Sequence, residues 1–274
     1  MSEKYKIGTI SKILGIPSQT LHYYETCGFV TPEKDAQSGY RYYDAWDINF
    51  LLDSKYWQSY EFSTSNVENM IHHDSVLEIQ DKLAAQKEVL MDRLVFYQNL
   101  IGQITEEQQR LSALSSQIGH YELTHSPLLY YDTYRKKNNY QSSEPDRSLP
   151  SMERWIKAFP FVQAMFLVDK ESILYGNNDT ISYWWGFSIS PVKARSLDLD
   201  FCSQAALLPS RKSIYTVFEA TTKNTFSPAL QEQVFDPILK KGYEITGDPV
   251  GKLIVRTHEP GNYKRYFEIW VPVA

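Results

Sequence analysis

Between Thr20 and Asp44 the chain reads TLHYYETCGFVTPEKDAQSGYRYYD, with five tyrosines, three of them adjoining His22 or Arg41, around turn-forming residues. Phenolic hydroxyls and single cations at this density suit either a strand pair that merely packs or a surface that donates hydrogen bonds to a phosphate backbone. A second concentration of rings includes Tyr130, Tyr131, Trp155, Phe159, Tyr183, Trp185, Phe187, Tyr215 and Trp270. Aromatic walls of this kind attract planar or cationic ligands by stacking and by cation–π attraction of about 0.5 to 2 kcal/mol per contact. Trp184 and Trp185 point to opposite sides of a strand, so at most one of them faces a given pocket.

The composition bounds these readings. The 274 residues leave room for two domains, and 42% hydrophobic with 22% charged residues is ordinary for globular proteins. No apolar run approaches the roughly 20 residues of a membrane span, and MSEKYKIGTISK lacks the apolar core of a signal peptide, so a cytoplasmic location is expected. Cys27 and Cys202 are the only cysteines, which argues against a disulfide framework or a Cys-rich metal site. Adjacent His72 and His73 cannot face one site from a regular helix, and His120 and His125 offer no better set. No metal, no cofactor and no enzymatic nucleophile triad is expected. The net charge is −5, and residues 1–75 carry five Lys and one Arg against five Asp and five Glu. Any nucleic-acid affinity must therefore come from a few placed cations and neutral donors.

The elements that would hold these residues follow from spacing. Ile7, Ile10, Ile13 and Leu14 recur at helical intervals, Gly15 stops that helix, and Pro17 with Ser18 as N-cap opens a second one anchored by Leu21. This is a helix-turn-helix. Gly28 to Tyr43 reads as a two-stranded ribbon or wing. Asp44 caps a helix with Ile48, Leu51, Leu52, Tyr56 and Tyr60 on one side, and a shorter helix runs from about Thr64 to His72. From Val76 to about Leu114 there is no proline, and Leu83, Leu90, Tyr97, Ile104 and Leu111 recur every seven residues. Leu94 and Ile101 fill the intermediate seam, while Lys87 and Gln108 interrupt it. Such a helix, about 58 Å long at 1.5 Å per residue, wants a partner helix, most simply from a second copy. A long core helix of one domain is the other reading.

Beyond Gly119 strands take over. YELTHSPLLYYDTYRK, SLPSMERWIKAFPF, VQAMFLV and ISYWWGFSIS read as strand, helix, strand, strand, and SIYTVFEA, SPALQEQVFDPILKKG, GKLIVRTHE and YKRYFEIWVPV repeat that order. The stretch RKKNNYQSSEPDRS reads as a loop. The expected fold is α+β and multidomain. It comprises a winged helix-turn-helix (residues 1–75), a long antiparallel coiled-coil dimerisation helix (76–118) and a duplicated strand-helix-strand-strand domain that binds a small molecule (119–274).

IGTISKILGIPSQTLHYYE, GFVTPEKDAQSGYRYYD and YEFSTSNVENMI, in this order, resemble the MerR family of transcriptional regulators over about the first 115 residues. LPSRKSIYTVFEA, KGYEITGDPVGKLIV and YFEIWVPV look like the gyrase-inhibitor-like effector-binding domain of multidrug-sensing members. The resemblance implies a ligand-responsive homodimer that binds promoter DNA with an overlong spacer, then bends and untwists it so that RNA polymerase engages. In a helix-turn-helix the second helix enters the major groove, placing Ser18, Gln19 and Thr20 at base edges, with His22, Tyr23 and Tyr24 further along. The family carries Arg where this chain has His22, which supplies no fixed fork of donors. The resemblance carries phosphate contacts to Tyr40, Arg41 and Tyr42, and Lys6 and Lys55 are further candidates. With so few cations, binding should be weakly salt-dependent.

The same resemblance places Glu268 as the acidic residue of an aromatic effector pocket, although it could instead pair with Arg256 or Lys264. Gly251 stands where multidrug-sensing relatives have a cation-seeking Glu. Two other functions fit the residues: hydrolysis of a bound ligand by Glu268 with an aromatic neighbour, as in related hydrolases, or constitutive DNA bending by a repressor.

Overall fold

A computed structural model describes residues 3–136, 152–175, 181–200, 205–221, 225–259 and 262–274. Residues 137–148 of the expected loop, residues 148–151 at the start of the expected helix, and Cys202 lie outside the described residues; Arg135 and Lys136, also expected in the loop, end a strand instead. The chain forms two units, Met1–Val95 and Phe96–Ala274.

In the first unit, β1 (Tyr5–Lys6) leads into α1 (Ile7–Leu14), which Gly15 ends at φ 64°, a left-handed conformation that glycine adopts without strain. The buried stripe uses Ile10, while Ile13 is exposed. Helix α2 (Ser18–Thr26) starts one residue earlier than expected: Pro17 holds the extended N-cap position, so Ser18 is the first helical residue and caps nothing. β2 (Glu33–Lys34) and β3 (Arg41–Tyr43) form the expected wing. β1 adds a third strand, pairing Tyr5 with Tyr43 and Lys6 with Tyr42. Two-residue strands give little periodic signal, which explains why β1 is not legible from spacing.

Helix α3 (Ala45–Gln58) is opened by a capping box in which Asp44 accepts from Trp46 N and Asp47 N while Asp47 accepts from Asp44 N. Its inner side is Ile48, Leu51 and Trp57. Leu52, Tyr56 and Tyr60 are exposed, contrary to the expected grouping, because their four-residue steps drift around the helix away from Leu51. Helix α4 (Thr64–His72) is capped by Ser63. The core gathers Ile10, Leu21, Tyr24, Phe29, Tyr43, Leu51, Val67 and Met70.

Helix α5 spans Val76–Gln117, 42 residues with Ser75 and Glu78 exchanging hydrogen bonds at its start. Among its seam residues Leu94, Tyr97, Ile101, Ile104 and Leu111 are exposed in the single chain.

The second unit is built on one eight-stranded sheet. Its elements are β4 (Tyr121–His125), β5 (Leu129–Lys136), α6 (Met152–Lys157), β6 (Gln163–Val168), α7 (Lys170–Tyr175), β7 (Tyr183–Ile189), α8 (Pro191–Ser196), β8 (Ala206–Leu208), β9 (Lys212–Ala220), α9 (Phe226–Leu230), α10 (Asp236–Lys240), β10 (Val250–Glu259) and β11 (Asn262–Pro272). The strand order is β4-β9-β11-β10-β6-β7-β5-β8, so the inner six strands mirror one another about the β10–β6 pair. Three details depart from the sequence reading. The segment expected as one strand, YELTHSPLLYYDTYRK, is two, because Pro127 cannot donate to a ladder; β4 pairs with β9 and β5 with β7. α7 and α8 are additional short helices. The expected single helix 227–242 is broken by a π-helical turn, Gln231–Phe235, ahead of Pro237, whose missing N–H interrupts the regular ladder.

Candidate functional site

In the helix-turn-helix, α2 presents Gln19, His22 and Tyr23 outward, with Ser18 and Thr20 half-buried. Tyr24 is a core residue, 2% exposed, whose hydroxyl donates to Gln58 Oε1 at 2.7 Å. It is withdrawn from the surface because Leu21 and Tyr24, three apart, share the inner face of α2. Tyr40 lies outside β3, is 59% exposed and has Lys6 Nζ 5.4 Å from its ring centre; Lys55 Nζ lies 5.5 Å from the Tyr24 ring. The wing turn is shaped by Asp35, whose Oδ1 accepts from Gln37 N, Ser38 N and Ser38 Oγ. Tyr42 is half-buried in a hollow of about 360 Å³ with Lys4, Trp46 and His72. His72 is bonded to Phe29 O at 3.1 Å and His73 to Glu68 at 3.2 Å.

Spacing arguments missed Glu25. Its carboxylate receives Arg41 Nε and lies 2.8 Å from Lys34 Nζ, with His22 Nδ1 at 3.9 Å. This ties the recognition helix to both strands of the wing. Burial pushes the Glu25 carboxyl up, and Arg41 and Lys34 outweigh it, holding it below its ordinary value. Arg41 therefore spends one donor inside the protein. Beneath it Tyr43 is buried, its hydroxyl has no hydrogen-bond partner among the described residues, and burial, followed by the Glu25 charge, pushes its pKa up to about 12.

In the sheet unit, the ten expected pocket residues divide between packing groups. Tyr183 and Trp185 sit in the main core with Phe166, Phe226 and Phe267. Trp155 and Phe187 form a second cluster beneath α6, joined by Tyr130; Trp155 is 1% exposed and its indole N–H donates to Asp132. Phe159 is 47% exposed and edges onto Phe187. A large aromatic surplus is thus mostly core. Strand alternation separates the remainder: Tyr131 and Trp270 pack against Leu129, Met165 and Val250, and the Tyr215 and Trp270 ring centres are 5.2 Å apart.

These last residues belong to two cross-strand rows on one sheet face. Met165, Lys252, Glu268 and Val217 are successive register partners across β6, β10, β11 and β9, and Leu167, Val250, Trp270 and Tyr215 form the neighbouring row. Glu268 is 6% exposed. Its Oε2 lies 3.5 Å from the Tyr215 hydroxyl and its Oε1 4.0 Å from Arg110 Nη2 of α5. Of the suggested alternative partners, Lys264 pairs instead with Glu219 at 3.1 Å, and Arg256 stands opposite Arg265 in the strand register, four residues from Lys252, the register partner of Glu268. Lys252 Nζ stands 5.7 Å from the Trp270 ring centre. Burial pulls the Lys252 ammonium below its ordinary pKa, against the opposing pull of Glu268. Burial and the Glu268 charge raise Tyr215. Lys252 and Arg110 were missed; the usable signal was a lone cation in an apolar strand, GKLIV, opposite the equally lone acid of YFEIW. Gly251 is sterically required, because a Cβ there would lie 2.1 Å from Phe166 Cζ and 2.7 Å from Glu268 O.

A helix-turn-helix with exposed polar donors on its second helix and a wing at its side defines a DNA-binding unit. Residues 5–74 match the family described as MerR HTH family regulatory protein. The chain is 27% identical over 90 residues to the HTH-type transcriptional activator mta of Bacillus subtilis, covering 33% of this chain and 35% of that protein. It is 28% identical over 109 residues to the HTH-type transcriptional regulator HmrR of Rhizobium leguminosarum, covering 39% and 81%. The cryo-EM structure of an EcmrR–DNA complex aligns with 98% of this chain and 99% of that one, at 16% identity and a TM-score of 0.33. Among the described residues no helix is long and apolar enough to cross a membrane, and no His, Cys, Asp and Glu cluster could hold a metal ion.

Proposed function

We propose that the protein is a homodimeric transcriptional regulator that binds promoter DNA through Gln19, Thr20, Tyr23 and the wing, and responds to a small aromatic ligand bound on the Glu268 sheet face. The observation that carries this reading is the helix-turn-helix, matched to the MerR family over residues 5–74, in a chain whose α5 has an exposed apolar seam and whose second unit buries a carboxylate beside an aromatic pair. The seam of α5 would bury itself against a second copy. The mirrored strand order fits an internal duplication, which would set residues 119–274 apart as the ligand-binding domain.

Activation would proceed by bending and untwisting a promoter whose spacer is overlong, allowing RNA polymerase to engage. Smooth bending costs on the order of 1 to 6 kcal/mol, within the range that preferential ligand binding to one dimer geometry can supply. Ser18, Tyr40, Tyr42, Lys6 and Lys55 would add to the DNA contacts, with Arg41 both gripping phosphate and positioning the wing. The test selects operator duplexes from random sequence with the full chain, then measures transcription in vitro from a promoter with a lengthened spacer. Ligand-dependent transcripts that vanish with Gln19→Ala are expected. Equal transcription with and without ligand, at full DNA occupancy, would leave a constitutive DNA-bending protein.

A further inference from the structure

Glu268 is not the unsatisfied charge on its sheet face. Glu107 of α5 already receives Gln103 Nε2 at 2.9 Å and has Arg110 at 3.6 Å, and Glu106 is paired with Lys193 at 3.2 Å. Glu268 has the Tyr215 hydroxyl and Arg110 within reach, and Lys252 as its cross-strand partner. The Lys252 ammonium is less completely satisfied: among the described residues it has no hydrogen bond and no ion pair, only the Trp270 ring and the charge of its register partner Glu268.

Resting on the reading that this face binds an effector, we propose that it takes an aromatic ligand bearing a carboxylate or similar anionic group, the anion meeting Lys252 and Arg110 and the ring meeting Trp270 and Tyr215. The chemistry follows from proximity. An added cation would have to stand beside two existing cations to reach Glu268, whose charge they already offset. An added anion supplies the direct ion pair that Lys252 lacks, and burial strengthens that pairing by keeping water out. Burial now opposes the charge on Lys252, so a bound anion would also return its proton affinity toward the ordinary range. Trp270 and Tyr215, with centres 5.2 Å apart, offer a ring-sized apolar surface next to the ammonium.

Three matched probes test this on the full-length protein by isothermal titration calorimetry: naphthalene-2-carboxylate, 2-naphthylmethylammonium and the neutral 2-naphthylmethanol. The carboxylate should bind at least about tenfold more tightly than the ammonium compound, and Lys252→Met should remove about tenfold of carboxylate affinity while leaving the neutral alcohol within roughly threefold. Lys252→Gln provides a second test should the Met variant fold poorly, and the wild-type ranking needs no variant. Tighter binding of the ammonium or the alcohol, or carboxylate affinity indifferent to both Lys252 variants, would overturn the proposal while leaving a ligand site in place. Failure of all three probes to bind would overturn the effector-site reading together with it.

Discussion

Glu25 and Glu268 are both shielded carboxylates flanked by two cations, and they are built to different ends. Around Glu25 the cations are in contact: Arg41 donates directly and Lys34 is at 2.8 Å. Around Glu268 they are near but loose, with Arg110 at 4.0 Å and Lys252 held over a ring. The first cluster is complete without any other molecule and fixes the angle between recognition helix and wing. The second has spare capacity, and burial works against its lysine. A completed cluster positions; an incomplete one can receive.

The largest expected effect tests whether the second cluster could be converted into a doubly acidic one. Gly251→Glu must push into Phe166, and chemical denaturation should show a loss of about 2 to 3 kcal/mol or failure of the unit to fold. Next, Glu25→Ala should cost about 1 to 2 kcal/mol at neutral pH, because it leaves two cations without their acceptor, and should weaken DNA binding in gel-shift titrations. The Glu25 carboxyl lies below its unfolded value in the native protein, so its stabilisation is full above about pH 5 and fades as pH falls through the native value; wild type and Glu25→Gln should converge in acid.

Lys252→Met should move stability the other way, by about 1 kcal/mol upward at neutral pH, since burial disfavours the folded-state ammonium by more than the neighbouring carboxylates favour it. A lysine whose native pKa is depressed releases its proton earlier than the unfolded chain does. Wild-type stability therefore rises with pH between the native value and about 10.4, and the gap to Lys252→Met should close there. Smallest of all, Tyr43→Phe removes a buried hydroxyl that has no partner among the described residues, and a change of under about 1 kcal/mol, in the stabilising direction, is expected in the same denaturation assay.

The two clusters also mark what could be read from sequence. Helix stops and caps with local causes were legible: Gly15 ending α1, the Asp44 cap, the bounds of α4 and the uninterrupted run of α5 all follow from a few neighbouring residues. Glu25 was not, because nothing local to α2 reveals that Arg41 and Lys34 return to it across the wing. In the sheet unit, ring counting grouped Trp155, Trp185 and Phe187 with Trp270, whereas alternation across strands whose pairing was unknown sends them to different packing groups. Glu268 was legible from its apolar flanks. Its partner Lys252 became so only once the register between β10 and β11 was known.

The most direct measurement is a pair of double-mutant cycles on the full-length protein, one for Glu25 with Arg41 and one for Glu268 with Arg110, each by chemical denaturation. The account predicts a coupling of about 1 to 2 kcal/mol for the first pair and under about 0.5 kcal/mol for the second. Equal, strong coupling in both pairs would contradict it, since Glu268 would then be held by Arg110 as firmly as Glu25 is by Arg41 and the contrast between a completed and a loose cluster would fail.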